Sequence, residues 1–289
     1  MNKDNNQAIY FDNSATTKID SEVISSMKNF LEEEYGNASS FHELGFRAKK
    51  ALNESRELIA KSLGVKSSEV FFTSGGTESN NWALKGVAFA NKDKGKHILL
   101  SSVEHSCSKE CAKWLALQGF EIEYIPVNKF GEVQEEELKK RIREDTILVS
   151  IIHGNNEIGT INDISKLSLI CKDKNVLFHS DACQSYTKVP INLSEMNVDL
   201  LTINSHKIHG PKGVGALIIK EKTKIQPIIH GGGQENGFRG GTENISGIVG
   251  FAKASTIHSQ EDINHMIFLR DYIIKEIIDQ SSSFLNVTP

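Results

Sequence analysis

Lys207 comes directly after the apolar run 198–204 (VDLLTIN), in the polar string Ser205-His206-Lys207. An amine just past a buried strand loses solvation, so its pKa falls and it becomes a plausible nucleophile. Lys212, in the Gly-Pro-Lys-Gly turn that follows, reads as an ordinary surface residue. Asp181 stands after another apolar run, 176–180 (VLFHS), and is followed by Cys183 and Gln184. An acid at the end of a central strand is costly unless paired, either with a protein cation or with a cationic heterocycle nitrogen of a cofactor. A third signal is Ser74-Gly75-Gly76-Thr77-Glu78-Ser79, after 70–73 (VFFT). Its glycines let backbone N–H groups approach an anion at a helix start; the bland alternative is a plain helix capped by Thr77. The GxxxxGK spacing of a P-loop is absent. A lysine, an acid and a phosphate cradle together point to pyridoxal phosphate, which needs an imine-forming amine, an acid for its ring nitrogen and an anion site.

Other strand ends are also polar. Val103-Glu104-His105 follows 97–101 (HILLS), although a lone histidine there is more often a core or surface imidazole than a catalytic one. After 146–152 (TILVSII) comes His153-Gly154-Asn155-Asn156-Glu157, whose amides serve turn geometry or a ligand. Ligands in open α/β sheets bind beyond the carboxyl ends of strands, which is where these residues fall.

The elements that must hold them alternate. Strands are expected at 70–73, 97–101, 121–126, 146–152, 176–180, 198–204 and 214–219, with helices at 77–91, 106–118, 134–143 and 163–173 between them. Continuous runs such as Thr146 to Ile152 predict strands covered on both faces, hence an α/β fold: a three-layer α/β/α domain on a mostly parallel sheet. Two helices, near 21–34 and 45–63, precede it. Beyond about Glu243 the pattern is helical, with an apolar stripe through Ile263, Met266, Ile267, Ile273, Ile274, Ile277 and Ile278. Phe284 to Val287 then reads as the first strand of a further, small α+β domain.

The chain has 289 residues and a formal charge of −4, with 38% apolar and 24% charged residues. That argues against disorder and against non-specific nucleic-acid or anionic-membrane binding. Apolar runs fall short of a membrane span, and the N-terminus lacks an apolar leader core. Cys107, Cys111, Cys171 and Cys183 form no CxxC pair, which fits a reducing, cytoplasmic setting. His105, Cys107 and Cys111 make a poor metal corner without a second ligand pair, so no metal is expected.

The motifs FDNSATT (11–17), GNASSFHELG (36–45), VFFTSGGTESNNWALKG (70–86), EHSC (104–107), NNEIGT (155–160), HSDACQS (179–185), SHKIHGPKGVGAL (205–217) and HGGGQENGFRGGTEN (230–244) closely resemble those of the cysteine desulfurases. These belong to the class V aminotransferase group of fold-type I pyridoxal phosphate enzymes. The resemblance runs from about Tyr10 to Thr256 with motifs in order. It implies that Lys207 holds the cofactor covalently, that Asp181 pairs with its ring nitrogen, and that His105 stacks on the ring and moves protons. It implies Asn156 and Gln184 near the phenolic oxygen and substrate. Gly76, Thr77 and His206 would bind phosphate, and Thr242 would reach the phosphate of a neighbouring subunit in a homodimer. One position departs from the pattern: Asn204 stands where the family usually has a phosphate-binding serine, with Ser205 adjacent.

The implied reaction takes sulfur from L-cysteine, leaving L-alanine and a protein persulfide for sulfur-acceptor or iron–sulfur scaffold proteins and thiolated tRNA. A selenocysteine lyase or another class V enzyme is the alternative. The family's sulfur-accepting cysteine and carboxylate-binding arginine fall beyond Pro289, and Cys183 is a weak substitute in a segment expected to be buried. The expected organisation is therefore an arm at 1–14, a cofactor domain at 15–255 and the beginning of a small domain at 256–289. A chain so built is expected to bind cofactor without turning over cysteine, as a catalytically silent scaffold or dimerisation partner would.

Overall fold

The computed structural model describes residues 9–280. Seven strands form one sheet in the order β1-β7-β6-β5-β4-β2-β3. They are β1 (Val70–Thr73), β2 (His97–Ser101), β3 (Glu121–Ile125), β4 (Thr146–Ser150), β5 (Leu177–Asp181), β6 (Leu200–Asn204) and β7 (Gly215–Ile219). Each expected strand is present. Pairs β2–β3, β2–β4, β4–β5 and β5–β6 are parallel, and β7 alone runs against its neighbours β1 and β6.

Two helices precede the sheet, α1 (Ser21–Glu32) and α2 (Glu43–Leu63), and α3 (Gly76–Asn91), α4 (Ser106–Leu117), α5 (Glu135–Arg141) and α6 (Ile164–Asp173) connect its strands. After β7 come α7 (Ile245–Ala254) and α8 (Gln260–Gln280). Adjacent strand residues serve opposite cores, as the period of two requires. Ile98, Leu100, Leu148, Leu200 and Leu217 pack with Trp82, Leu84 and Leu115 of α3 and α4. Leu99, Val149, Phe178, Leu201 and Ile218 pack with Ile59, Leu138, Leu167 and Phe251 from α2, α5, α6 and α7. That makes the three layers. The apolar stripe of α8 stays largely exposed, with Met266 43% and Ile273 46% accessible. The expected strand at Phe284 to Val287, and most of the expected arm, lie outside the described residues.

Since β7 opposes both neighbours, β1 runs the same way as β2, β4, β5 and β6. The carboxyl ends of these strands therefore open on one edge of the sheet, and the polar turns after them meet there. Segment 230–244 is fastened to that edge by buried charge. Glu235 takes both terminal nitrogens of Arg56 at 2.7 Å and accepts from Phe72 N at 2.9 Å. Arg239 grips Glu78, in the first turn of α3, at 2.9 and 3.2 Å.

Candidate active site

At this edge lies a cavity of about 240 Å³. Gly76, Thr77, His105, Asn156, Asp181, Gln184, Asn204, His206 and Lys207 all line it. Two further expected residues do not. Ser205 is fully buried on the other side of the β6 end, where its Oγ faces Gly210 so closely that a Cβ there would collide with it. Strand alternation separates it from Asn204 despite their adjacency. Thr242 is exposed and lines a different depression, with Ser74, Arg239 and Glu243.

The turn after β1 is shaped by close approach. Gly75 has a φ of +146°, and a Cβ on Gly215 of β7 would come 2.9 Å from the Gly75 Cα, so both positions exclude larger residues. Gly76 starts α3, and a Cβ there would sit 2.6 Å from Cys183 Sγ. The glycine therefore keeps open a cradle at a helix N-terminus, where free N–H groups and the helix dipole favour an anion. Asn204 Nδ2 stands 3.3 Å from His206 Nε2, and the Asn204 Oδ1 is buried without a hydrogen-bond partner among the described residues. Burial, then the charges of Lys207 and Lys212, lower the His206 pKa, so the ring is neutral at physiological pH.

Asp181 is the last residue of β5 and is 4% exposed. Its Oδ2 accepts from Asn80 Nδ2 at 2.6 Å and its Oδ1 from Cys183 N at 2.9 Å. No protein cation pairs with it among the described residues, so of the two outcomes open from sequence the structural ion pair is not realised. Asn80, one turn into α3, was not singled out by sequence reasoning; only its spacing of four from Gly76 at a helix start could have marked it.

Lys207 is half-buried, and desolvation lowers its pKa, opposed by Cys183, Asp12 and Asp181. Its Nζ donates to the Ser14 carbonyl, which also accepts from Gln184 Nε2 at 2.6 Å. The turn at 13–15 thus closes over the amine, a contact no local pattern announces. His105 is exposed, caps α4 through Cys107 N, and has its Nδ1 3.0 Å from Cys107 Sγ. The Cys107 thiol is pushed up by burial, Cys111 to about 12, and Cys183 well above its ordinary value by burial and then by Asp181. These thiols are protonated and poorly nucleophilic. No cluster of potential metal ligands occurs among the described residues.

Beneath the cavity, Glu104 is buried, with its Oε1 accepting from Ser101 Oγ and from Ile152 N, both at 2.5 Å. It ties the ends of β2 and β4. Its Oε2 has no hydrogen-bond partner among the described residues, and desolvation raises its pKa from 4.5 to about 8. Above pH 4.5 the unfolded chain has released this proton while the folded chain keeps it, so rising pH penalises folding until about pH 8. Glu104→Gln preserves the two accepted bonds and removes the linkage. Its stability relative to wild type is expected to grow by on the order of 1 kcal/mol per pH unit between pH 5 and 8, read as denaturation midpoints. A constant difference would contradict a neutral Glu104.

The sequence profile described as aminotransferase class-V matches residues 9–282. The chain is 52% identical over 272 residues to a cysteine desulfurase IscS of Dictyoglomus turgidum, covering 93% of this chain and 69% of that protein. It is 47% identical over 287 residues to a cysteine desulfurase IscS of Methanosarcina thermophila, covering 98% and 71%. A solved NifS-like protein superposes with a TM-score of 0.91 at 44% identity, covering 94% of this chain and 76% of that one. SspA in complex with cysteine superposes with a TM-score of 0.85 at 36% identity, covering 91% and 78%. With its mostly parallel sheet and edge cavity, the chain belongs to the class V aminotransferase family and, within it, to the cysteine desulfurases.

Proposed function

We propose that the chain binds pyridoxal phosphate in the cavity between Lys207 and Asp181 and that the enzyme it forms removes sulfur from L-cysteine. The carrying observation is the convergence of a half-buried amine, a buried carboxylate without a cationic partner among the described residues, and a glycine-lined helix N-terminus on one cavity. The donor set fits the cofactor. Asp181 accepts one hydrogen bond on each oxygen and keeps lone pairs for a ring N–H. Gly76, Thr77, Asn204 and His206 suit a phosphate; a neutral His206 and the two protons of Asn204 Nδ2 provide for it without a fixed charge.

Bound pyridoxal phosphate supplies an electron sink that weakens bonds at Cα and Cβ of an amino acid. Lys207 would hold it covalently, and the same amine, when free, would be placed to move protons. Its lowered pKa enlarges the unprotonated fraction needed for both tasks. Asp181 keeps the ring nitrogen protonated, and Asn80 holds the carboxylate in place. His105, in the cavity lining, would cover the ring, and Gln184 and Asn156, in the same lining, would face the phenolic oxygen and substrate. Overall, a cysteine and an acceptor thiol give alanine and a persulfide, with the sulfur passing to the thiol.

In this reading residues 15–255 form the cofactor domain, with the arm at 1–14 and residues 256–289 opening a small domain. Thr242, exposed on the segment held by Arg56–Glu235 and Arg239–Glu78, serves a partner subunit's phosphate in a homodimer. The persulfide goes to iron–sulfur or tRNA-thiolation acceptors in the cytoplasm. Names of relatives and the bound cysteine of SspA support the substrate. The test uses the product of the whole reading frame that encodes these residues, given L-cysteine or L-selenocysteine. With a reducing thiol added to release the persulfide sulfur, equal alanine and sulfide from cysteine are expected, lost in Lys207→Ala; selenide from selenocysteine alone would favour the lyase.

A further inference from the structure

Asp181 and His105, two groups in the lining of the cavity, are joined by two other lining side chains, Asn80 and Cys107. Asn80 is fully buried, and its Nδ2 donates to Asp181 Oδ2 at 2.6 Å and to Cys107 Sγ at 3.2 Å. Those two acceptors use both of its amide hydrogens. The opposite placing of the amide would set Oδ1 against the carboxylate, acceptor against acceptor. Cys107 Sγ in turn stands 3.0 Å from His105 Nδ1. The thiol is half-buried, and burial keeps it protonated, so it has a hydrogen to give. A protonated thiol is a poor nucleophile, which leaves Cys107 a hydrogen-bonding part. The line from Asp181 through Asn80 and Cys107 to His105 is therefore continuous.

His105 Nδ1 has a second donor. Cys107 N, in the first turn of α4, donates to it at 3.2 Å as the helix is capped. A ring nitrogen that accepts carries no hydrogen, so the neutral imidazole has its proton on Nε2. With Nδ1 held against its own helix, Nε2 is the nitrogen left to meet a molecule in the cavity. The backbone cap would survive any residue at 107 that keeps its N–H. What the thiol adds is a second donor to the same nitrogen and a tie from the ring to Asn80.

We infer that Cys107 is a positioning residue: through Asn80 it couples His105 to Asp181, and it fixes His105 as the Nε2–H tautomer, a hydrogen donor toward the cavity. The consequence for turnover rests on the cofactor reading above. With Lys207 as an unprotonated amine, the site then offers one hydrogen acceptor and one hydrogen donor, carried by separate elements. A ring freed from the thiol has access to the other tautomer, which would offer a lone pair where the reaction meets a donor.

The test reads the ring nitrogens of His105 by NMR in protein carrying isotopically labelled histidine, with and without pyridoxal phosphate, and His105→Gln assigns the signals. Wild type is expected to show Nε2 protonated and Nδ1 bare in both conditions. Cys107→Ala is expected to shift the tautomer ratio toward Nδ1–H about two- to tenfold. Cys107→Ser, whose hydroxyl donates from the same place, is expected to hold the wild-type ratio. In the loaded enzyme, Cys107→Ala should lower kcat for alanine formation about two- to tenfold and change KM less than about twofold. On a His105→Gln background the same substitution should add less than about twofold. A merely structural role for Cys107 would lower kcat alike on both backgrounds and leave the tautomer unmoved. Nδ1–H in wild type, or an unchanged ratio in Cys107→Ala, overturns this inference whether or not the protein takes up cofactor. Absence of a Lys207-dependent absorbance in wild type overturns the cofactor reading instead.

Discussion

Lys207→Ala is expected to abolish the borohydride-reducible yellow absorbance formed with pyridoxal phosphate and to lower alanine formation by at least about 10³-fold. Two roles end together in that variant, the covalent hold on the cofactor and the positioned amine that moves protons. Lys207→Arg is expected to fare no better, because a guanidinium stays protonated at any working pH and cannot attack a carbonyl carbon. Lys212→Ala is the control: Lys212 is exposed in the turn after the site and should behave as wild type. Absorbance spectra before and after borohydride separate the outcomes. A normal reducible band in Lys207→Ala would mean that another amine does this work.

Asp181→Ala is expected to carry the next largest effect. Its carboxylate is buried, and the partners that hold it, among them Asn80 Nδ2 and Cys183 N, are neutral donors. A protonated ring nitrogen would add the charged partner that this carboxylate lacks. Losing such a bond costs about 1.5–3 kcal/mol, so cofactor affinity should fall about 10- to 100-fold. Asp181→Asn should keep the shape yet still lose activity, since a neutral amide does not hold the ring proton. Titration of absorbance or tryptophan fluorescence with pyridoxal phosphate measures the first effect, and alanine release the second. Equal affinity in wild type and Asp181→Ala would separate this residue from the cofactor.

Strand existence was readable because buried runs are apolar throughout; strand ends were not. Ile151 and Ile152 continue the apolar run of β4, yet they leave the ladder. Ile151 N donates to the His179 carbonyl and Ile152 N to Glu104. Hydrophobicity reports burial, and both residues are buried, but it does not report pairing. The β5 strand, expected at 176–180, is instead Leu177–Asp181 because Asp181 pairs with Thr202 of β6. That register makes the acid part of the sheet. Strand order was closed to sequence reasoning altogether. Sequence neighbours β1 and β2 stand apart, with four strands between them.

The site was legible where chemistry needs an unusual residue in an apolar context. Lys207, Asp181 and the Gly75-Gly76 turn each break a local rule, and each lines or shapes the cavity. Partners supplied from a distance were not legible. Asn80 hides in a helix that reads as core, and the Ser14 carbonyl reaches Lys207 across 193 positions of sequence. Ser205 stands off the cavity for the opposite reason. Nearness in sequence to Asn204 counted for less than the alternation that turns it under Gly210.

The central claim is that the edge cavity is a pyridoxal phosphate site built on Lys207. It is tested most directly by loading the protein with pyridoxal phosphate, reducing with borohydride, and mapping the modified lysine by peptide mass spectrometry. The account predicts one adduct per chain, on the peptide that contains Lys207. An adduct carried instead by Lys188 or Lys212, or spread over surface lysines, would contradict it.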